Sequence, residues 1–355
     1  MSVIDVKYWE SAVRDASSPQ LLRQAREQFH DAANCGQTGD AVLEAVVSVN
    51  RIHDAIIKRC LHWSEQQMER EGWGSPPSAY EFVLLGSAGR REQTLWSDQD
   101  NGIVYPPPSA AEAEHCEKYY LRLGSVIVDT LNAVGYPPCE GNVLAREPLW
   151  CKPVNQWLEL LNQWAGDPTW EHVRYMLIVA DLRSLTGSGA LTACLKEKLF
   201  QCVNHDQELP GRMLYNALRH KVLLNIFGGF VKESYGEAAG SIDIKYGAYI
   251  PLVNGIRLLS ITAGLMEPST MGRISHLTEQ GLLPDPMGAS LTAAFQTVLD
   301  LRSRSQYKMV DDAYEGTGMV EFGQLTKEDK EALKQALKTG DALQKYLRKQ
   351  ISASR

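Results

Sequence analysis

Long apolar runs are missing from this chain. None reaches the ~18 residues a membrane helix needs, so no membrane span is expected. The cysteines, Cys35, Cys60, Cys116, Cys139, Cys151, Cys194 and Cys202, form no C-x-x-C pair, and their number is odd. Neither a disulfide framework nor a zinc site is expected. Reduced, mostly buried thiols in a cytoplasmic protein fit better. No H-E-x-x-H pattern surrounds His53 or His62, which leaves both a structural or surface role. Asp5, Lys7 and Glu10 leave no room for the apolar region of a signal peptide. An excess of positive charge is also absent. Lys and Arg number 36 against 43 Asp and Glu, a net charge of −7. General nucleic-acid binding usually needs a basic face, so it is not expected, although a local basic pocket is compatible with this balance. No internal repeat and no low-complexity segment occur. What is present is ordinary globular composition, 44% hydrophobic and 22% charged, over 355 residues. Two domains and a large core are the natural expectation.

The most informative stretch is YEFVLLGSAGRREQTLWSDQDNGIVY, Tyr80 to Tyr105. An apolar run, Phe82-Val83-Leu84-Leu85, ends at Gly86-Ser87. Asp98-Gln99-Asp100 and a second apolar pair, Ile103-Val104, follow. The pattern predicts strand, phosphate-binding turn, short helix and metal-binding strand. Gly86 has no Cβ, so the backbone there can turn sharply and approach a phosphate, and Ser87 adds a hydroxyl. A short helix over Ala88 to Thr94 would aim free N–H groups at the same place. Arg90 and Arg91 are within one turn of it, and a guanidinium binds phosphate oxygens in a fork.

Asp98 and Asp100 share a face if extended, about 7 Å apart. At an effective dielectric of about 20 they repel by roughly 2.5 kcal/mol. Water screens that repulsion or a cation removes it, and hard carboxylate oxygens suit Mg²⁺. Taken alone, S-D-Q-D-N reads as a solvated turn. The ordered combination of strand, G-S, D-x-D and renewed apolar residues reads as a nucleotide site.

G-S followed about ten residues later by D-x-D resembles the signature of DNA polymerase beta-type nucleotidyltransferases. The fuller string G-S-A-G-R-R-E-Q-T-L-W-S-D-Q-D-N is similar to one branch, the nucleotidyltransferases related to the N-terminal domain of PII-protein uridylyltransferases. The V-A-D-L-R-S-L-T-G segment at 179–187 resembles a D-x-R…G element of that branch. GSIDIKYGAYIPLVNGIRLLS, 240–260, resembles the I-D-[IL]-K…R segment of its substrate-binding domain. The resemblance covers most of the chain and is most specific at 80–105.

It implies an α+β fold: a small polymerase beta-like sheet flanked by an N-terminal helical segment and a C-terminal helical bundle. The expected division is 1–75 helical, 76–150 nucleotidyltransferase core, and 151–355 helical substrate-binding domain. Ser18-Pro19 reads as N-cap and N1. A helical stripe about 30 residues long starts at Asp40, and Gly72, Gly74, Pro76 and Pro77 end the first segment. Ser109 with Glu112 reads as a capping box opening a helix that ends near Gly135, with Tyr120, Leu123, Ile127 and Leu131 buried. A strand is expected around Cys139 to Ala145. Polymerase beta-type sites place a third carboxylate on such a strand, which nominates Glu140, with Asp181 as fallback. Pro153 and Asp167-Pro168 read as helix starts, the second helix running to Leu185. Asp181 and Arg183 on that helix face the nucleotide or form a structural ion pair. Lys245 and Arg257 either reach phosphates or an acidic acceptor, or pair locally. Further helices are expected from Thr270, from Asp285-Pro286 to about Met309, and from Thr326 to about Gln350.

The expected activity is Mg²⁺-dependent transfer of NMP from an NTP to a hydroxyl acceptor, in signalling. Asp98, Asp100 and Glu140 are the expected catalytic residues, with Asp98 and Asp100 holding metal. Gly86, Ser87, Arg90, Lys245 and Arg257 would hold the nucleotide. The uridylyltransferase likeness implies a protein tyrosine as acceptor; a small molecule is the other acceptor class. A nucleotide-sensing or partner-binding module with little turnover is the alternative.

Overall fold

A computed structural model describes residues 5–33, 41–219, 223, 230, 231, 233, 239–310 and 313–353. The chain is α+β. Three helices come first: α1 (Val6–Asp15), α2 (Pro19–Ala33) and α3 (Ala41–Arg70). The Ser18 hydroxyl accepts the N–H of Leu21 at 3.2 Å and Pro19 opens α2, as its fixed φ favours. Gly72, at φ 83°, turns the chain out of α3.

The sheet follows. Strand β1 (Glu81–Leu84) pairs antiparallel with β2 (Asn101–Tyr105), Phe82 opposite Ile103 and Leu84 opposite Asn101. Between them α4 is a single helical turn, Gly86–Gly89. Every residue of both strands is buried, because each face of the sheet meets a different core. Phe82, Leu84, Ile103 and Tyr105 pack with α1, α2, α3 and α5 (Ala113–Ala133). Val83, Leu85 and Val104 belong to the core shared with the C-terminal helices. Two-sided burial is why Phe82 to Leu85 reads as a continuous apolar run rather than an alternating one.

The outer strands arrive from beyond residue 150. Strand β3 (Cys151–Pro153) runs parallel to β2 and passes into α6 (Val154–Gly166). After α7 (Trp170–Val179), β4 (Arg183–Ser184) pairs antiparallel with β1, giving the order β3-β2-β1-β4. The remainder is mostly helical: α8 (Ala190–His205), α9 (Leu209–Ala217), α10 (Ile250–Thr262), α11 (Thr270–Glu279), α12 (Asp285–Ser303) and α13 (Lys327–Ala353). Strand β5 (Ser241–Asp243) pairs with β8 (Met319–Glu321), and β6 (Tyr307–Val310) forms a hairpin with β7 (Ala313–Gly316). A π-helical turn, Lys245–Tyr249, joins β5 to α10. Among the described residues no helix is long and apolar enough to cross a membrane.

Several sequence expectations meet a different structure. No strand forms over 139–145. The dipeptide Gly141-Asn142 makes a turn instead, with Asn142 at φ 50° and its N–H on the Cys139 carbonyl at 3.1 Å. Ser109 bonds the Glu112 carboxylate at 2.6 Å, and α5 opens only at Ala113. The helix expected to reach Leu185 stops at Val179, because Arg183 and Ser184 find ladder partners on β1. Likewise α12 ends at Ser303, and the chain toward Met309 becomes a hairpin whose Tyr314 ring lies 4.4 Å from that of Trp96. By contrast, Thr326 and Asp329 do exchange backbone bonds at the start of α13, at 3.1 and 3.0 Å. Cys60, Cys116, Cys139 and Cys151 are buried free thiols, Cys194 is exposed, and Cys35 lies outside the described residues.

The N-terminal core contains two buried histidines. His53 lies 2.6 Å from Tyr136 Oη and 3.1 Å from the Thr94 carbonyl oxygen. Burial, then the Arg26 charge, lowers its pKa to about 3; the same causes hold His30 well below the usual range. Both are neutral in the folded protein at neutral pH. The unfolded chain binds more protons than the folded one below about pH 6.5, so stability falls as pH drops from there toward about 3. Each histidine contributes a slope of up to roughly 1.4 kcal/mol per pH unit. Urea unfolding between about pH 7 and pH 5 should show this loss, and His53→Gln should flatten it. Equal slopes in the two proteins would contradict the assignment.

Candidate nucleotide site

The site begins with backbone alternation. Over residues 98–101 the chain is extended, so alternate side chains face opposite ways. Gln99 and Asn101 face inward and are 5% and 1% exposed. Gln99 Nε2 donates to the Val128 and Tyr136 carbonyls at 3.1 and 2.9 Å. Asn101 donates to Gln99 Oε1 at 3.0 Å and accepts the N–H of Ala145 at 2.8 Å. These bonds lock the register and leave Asp98 and Asp100 on the other face, both only partly buried.

Asp100 packs against Gly86. Its carbonyl accepts the N–H of Leu85 at 3.1 Å, and a Cβ on Gly86 would stand 2.2 Å from Asp100 Oδ2. Gly86 also sits at φ 53°, so both space and backbone require glycine. The next residue, Ser87, is partly buried, and its hydroxyl has no hydrogen-bond partner among the described residues. The helix expected over 88–94 shortens to the one turn of α4, too short for an appreciable dipole.

Burial, then the Asp98 charge, raises the Asp100 pKa to about 6. A hydrogen bond from Cys139 and the charges of Arg90 and Lys245 oppose the rise. Cys139 in turn has its pKa pushed well up by burial and by Asp100, so it remains a thiol. Lys245, at the start of the π-helical turn, is thus within electrostatic reach of Asp100. Its N–H and that of Ile244 both point at the Gly318 carbonyl, and its ammonium lies 5.4 Å from the Tyr246 ring centre.

Glu140 is exposed at the tip of the 139–142 turn, away from the β-ladder position expected for a third acid. Asp181 is fully buried and committed elsewhere. Arg90 Nη1 donates to its Oδ2 at 2.5 Å, Arg257 Nε to Oδ1 at 3.0 Å, and Arg273 Nη1 to Oδ1 at 2.9 Å. Burial alone would raise the Asp181 pKa, but Arg257, Arg90 and Arg273 together hold it well below the carboxylate range. Arg183 pairs with Asp54 at 2.8 Å, not with Asp181.

Arg90 and Arg257 are therefore brought next to the turn but are internally paired. Arg90 also donates to Glu92 Oε2 and Tyr249 Oη, both at 2.8 Å, while Tyr249 Oη donates to Glu92. Thr270 N–H closes the set on Glu92 Oε1 at 2.7 Å. Sequence reasoning missed Glu92, Tyr249, Arg273 and Cys139 as members of this neighbourhood. Glu92 and Tyr249 lie inside quoted stretches, where a buried polar role has no periodic signature. Arg273 has no local signal at all.

The donor set fits a hard divalent cation. Two carboxylates share one face beside a bare glycine, and the raised Asp100 pKa marks charge that a cation would relieve. Among the described residues no group of three or more His, Cys, Asp or Glu side chains gathers to hold a metal. Water or ligand oxygens would complete the coordination.

A Gly-Ser turn ends one strand and an acidic pair enters its antiparallel neighbour, as the sequence resemblance to nucleotidyltransferases implies. Family comparison agrees. Residues 26–171 match the family described as Putative nucleotidyltransferase DUF294, and 207–351 match Putative nucleotidyltransferase substrate binding domain. The chain belongs to this family, and both matches support a general role in nucleotidyl transfer. No curated protein matches the chain.

The Asp181 cluster gives a stability test. Asp181→Asn removes the counter-charge of three guanidiniums at a fully buried position. Breaking a buried pair of this kind costs about 3–5 kcal/mol. Denaturant unfolding of the variant should read that loss; a change below about 1 kcal/mol would mean the cluster is solvated.

Proposed function

We propose that the chain transfers NMP from an NTP to a hydroxyl acceptor. The observation that carries this reading is the Asp100 carboxylate lying against Gly86, its pKa raised by burial and then by the Asp98 charge. In the reaction the acceptor oxygen bonds the α-phosphorus, the bond to pyrophosphate breaks and the hydroxyl proton is released. Gly86 gives phosphate oxygens access to the backbone, and the free Ser87 hydroxyl donates to them. Lys245 offsets phosphate charge from the C-terminal side. Asp98 and Asp100 would hold Mg²⁺, which supplies charge neutralisation for the triphosphate when bound. Arg90 and Arg257 support the turn from behind through Asp181 rather than touching phosphate. Among acceptors a protein tyrosine is favoured, and a signalling role with it, by the likeness to PII-protein uridylyltransferases, which is an analogy between relatives.

Asp98→Asn with Asp100→Asn should reduce Mg²⁺-dependent pyrophosphate release by about 100-fold or more while the unfolding midpoint holds. Undiminished release from the double variant would refute the assignment.

A second reading rests on the acid set. Glu140 is exposed in a turn and Asp181 is sequestered, so no third carboxylate joins the pair among the described residues. That arrangement favours a nucleotide-sensing or partner-binding module with little turnover. Calorimetry with each NTP, followed by pyrophosphate assay over a panel of protein and small-molecule acceptors, separates the two. Binding without any pyrophosphate selects the sensor.

A further inference from the structure

The junction next to the Gly-Ser turn is unbalanced in charge. Four buried guanidiniums converge there, Arg90, Arg257, Arg273 and Arg302, against two buried carboxylates, Asp181 and Glu92. Three of the four have a carboxylate partner. Arg302 has none. It is 8% exposed, it lies in no ion pair among the described residues, and its one hydrogen bond there is a long one, 3.4 Å, to the Glu92 carbonyl. Otherwise its guanidinium lies 3.7 Å from the centre of the Tyr249 ring. Both oxygens of the Glu92 carboxylate are already taken by Arg90, Tyr249 and Thr270, so Glu92 does not serve Arg302. An arginine has five N–H donors, and no Arg302 nitrogen is among the fully buried atoms left without a partner, so its unpaired edge is open to an incoming anion.

Position says which anion. Glu92, whose carbonyl accepts from Arg302, sends its own N–H to the Ser87 carbonyl at 2.8 Å. Arg302 is therefore one residue removed, through backbone bonds, from the Gly86-Ser87 turn. Beyond Arg302 the chain follows the same segment: Gly316 N–H meets the Trp96 carbonyl at 3.2 Å, and Gly318 carries the π-helical turn of Lys245. The C-terminal half thus meets this stretch at Glu92 and Trp96 and brings two cations toward it, Arg302 and, within electrostatic reach of Asp100, Lys245.

We propose that Arg302 binds the β- and γ-phosphate oxygens of the nucleotide. This rests on the nucleotide reading above and adds a specific ligand to it. The stacking on Tyr249, whose hydroxyl is held by Arg90 and Glu92, fixes the guanidinium plane and leaves its free edge for a bidentate contact. The residue then discriminates nucleotides by phosphate number rather than by base.

The test compares wild type, Arg302→Gln and Arg302→Lys by calorimetry with Mg²⁺ and ATP, UTP, GTP or CTP, and with the corresponding monophosphates. For the triphosphate that wild type binds, Arg302→Gln should weaken affinity about tenfold or more. Arg302→Lys should fall between the two, and monophosphate affinity should change less than about twofold. A purely structural role would weaken both ligands alike, and that result overturns the proposal. So does wild-type triphosphate affinity in Arg302→Gln. Should that variant fail to fold, modification of wild type by phenylglyoxal replaces it. Inorganic tripolyphosphate with Mg²⁺ should protect Arg302, read by peptide mass spectrometry, and unprotected modification overturns the proposal. If wild type binds none of the four triphosphates, the nucleotide reading itself fails and Arg302 with it. Failure confined to the variants leaves that reading standing.

Discussion

Asp181 is where the two halves of the chain are joined. Its carboxylate accepts from arginines on three separate segments: Arg90 just after the Gly-Ser turn, Arg257 in α10 and Arg273 in α11. Its backbone carbonyl also comes so close to Gly89 that a Cβ there would stand 2.1 Å away. Side chain and main chain of one residue thus fix the turn against the C-terminal helices. Buried ion clusters add little net stability relative to apolar packing, but they tolerate few alternative geometries. The cluster holds the turn in place, and chemistry is left to other carboxylates.

That separation of roles follows from environment. Asp181 sees three positive charges and remains ionised. Asp100 is buried beside a negative neighbour, Asp98, and its pKa moves up to about 6 although a hydrogen bond from Cys139 opposes the rise. The first carboxylate is satisfied by protein alone. The second pair is arranged so that a cation from outside the chain would be welcome. Gln99 and Asn101 make this arrangement rigid, since their amides are consumed by backbone groups of the 128–145 region. A solvated loop would show no such commitments.

The C-terminal half is more than a scaffold for the sheet. It supplies the outer strands β3 and β4, two of the three arginine partners of Asp181, and contacts to Glu92 and Trp96 from Arg302 and Gly316. The π-helical turn is part of that delivery. A wider turn of this kind re-aims side chains relative to an α-helix, and here it leaves Lys245 within electrostatic reach of Asp100 while Tyr249 reaches Arg90.

Much of this was legible in the order of residues. The helical N-terminus, the two central strands, the Gly-Ser turn and the alternating D-Q-D-N segment are local patterns, set by periodicity, capping and the absence of a side chain at Gly86. Those features depend on neighbours a few residues away, so the linear chain determines them. What it did not determine was which strand closes the sheet, where α7 stops, or which partner each buried charge takes. Arg183 becomes a strand residue only because β1 has a free edge. Glu140 leaves the sheet because Gly141-Asn142 turns more readily than it pairs. Arg90 and Arg257 meet Asp181, and Arg302 meets no carboxylate among the described residues, only once helices distant in sequence are packed together. Charge pairing at such range is decided by tertiary contact, because Coulomb attraction and desolvation depend on distance in space and on burial, neither of which spacing along the chain records.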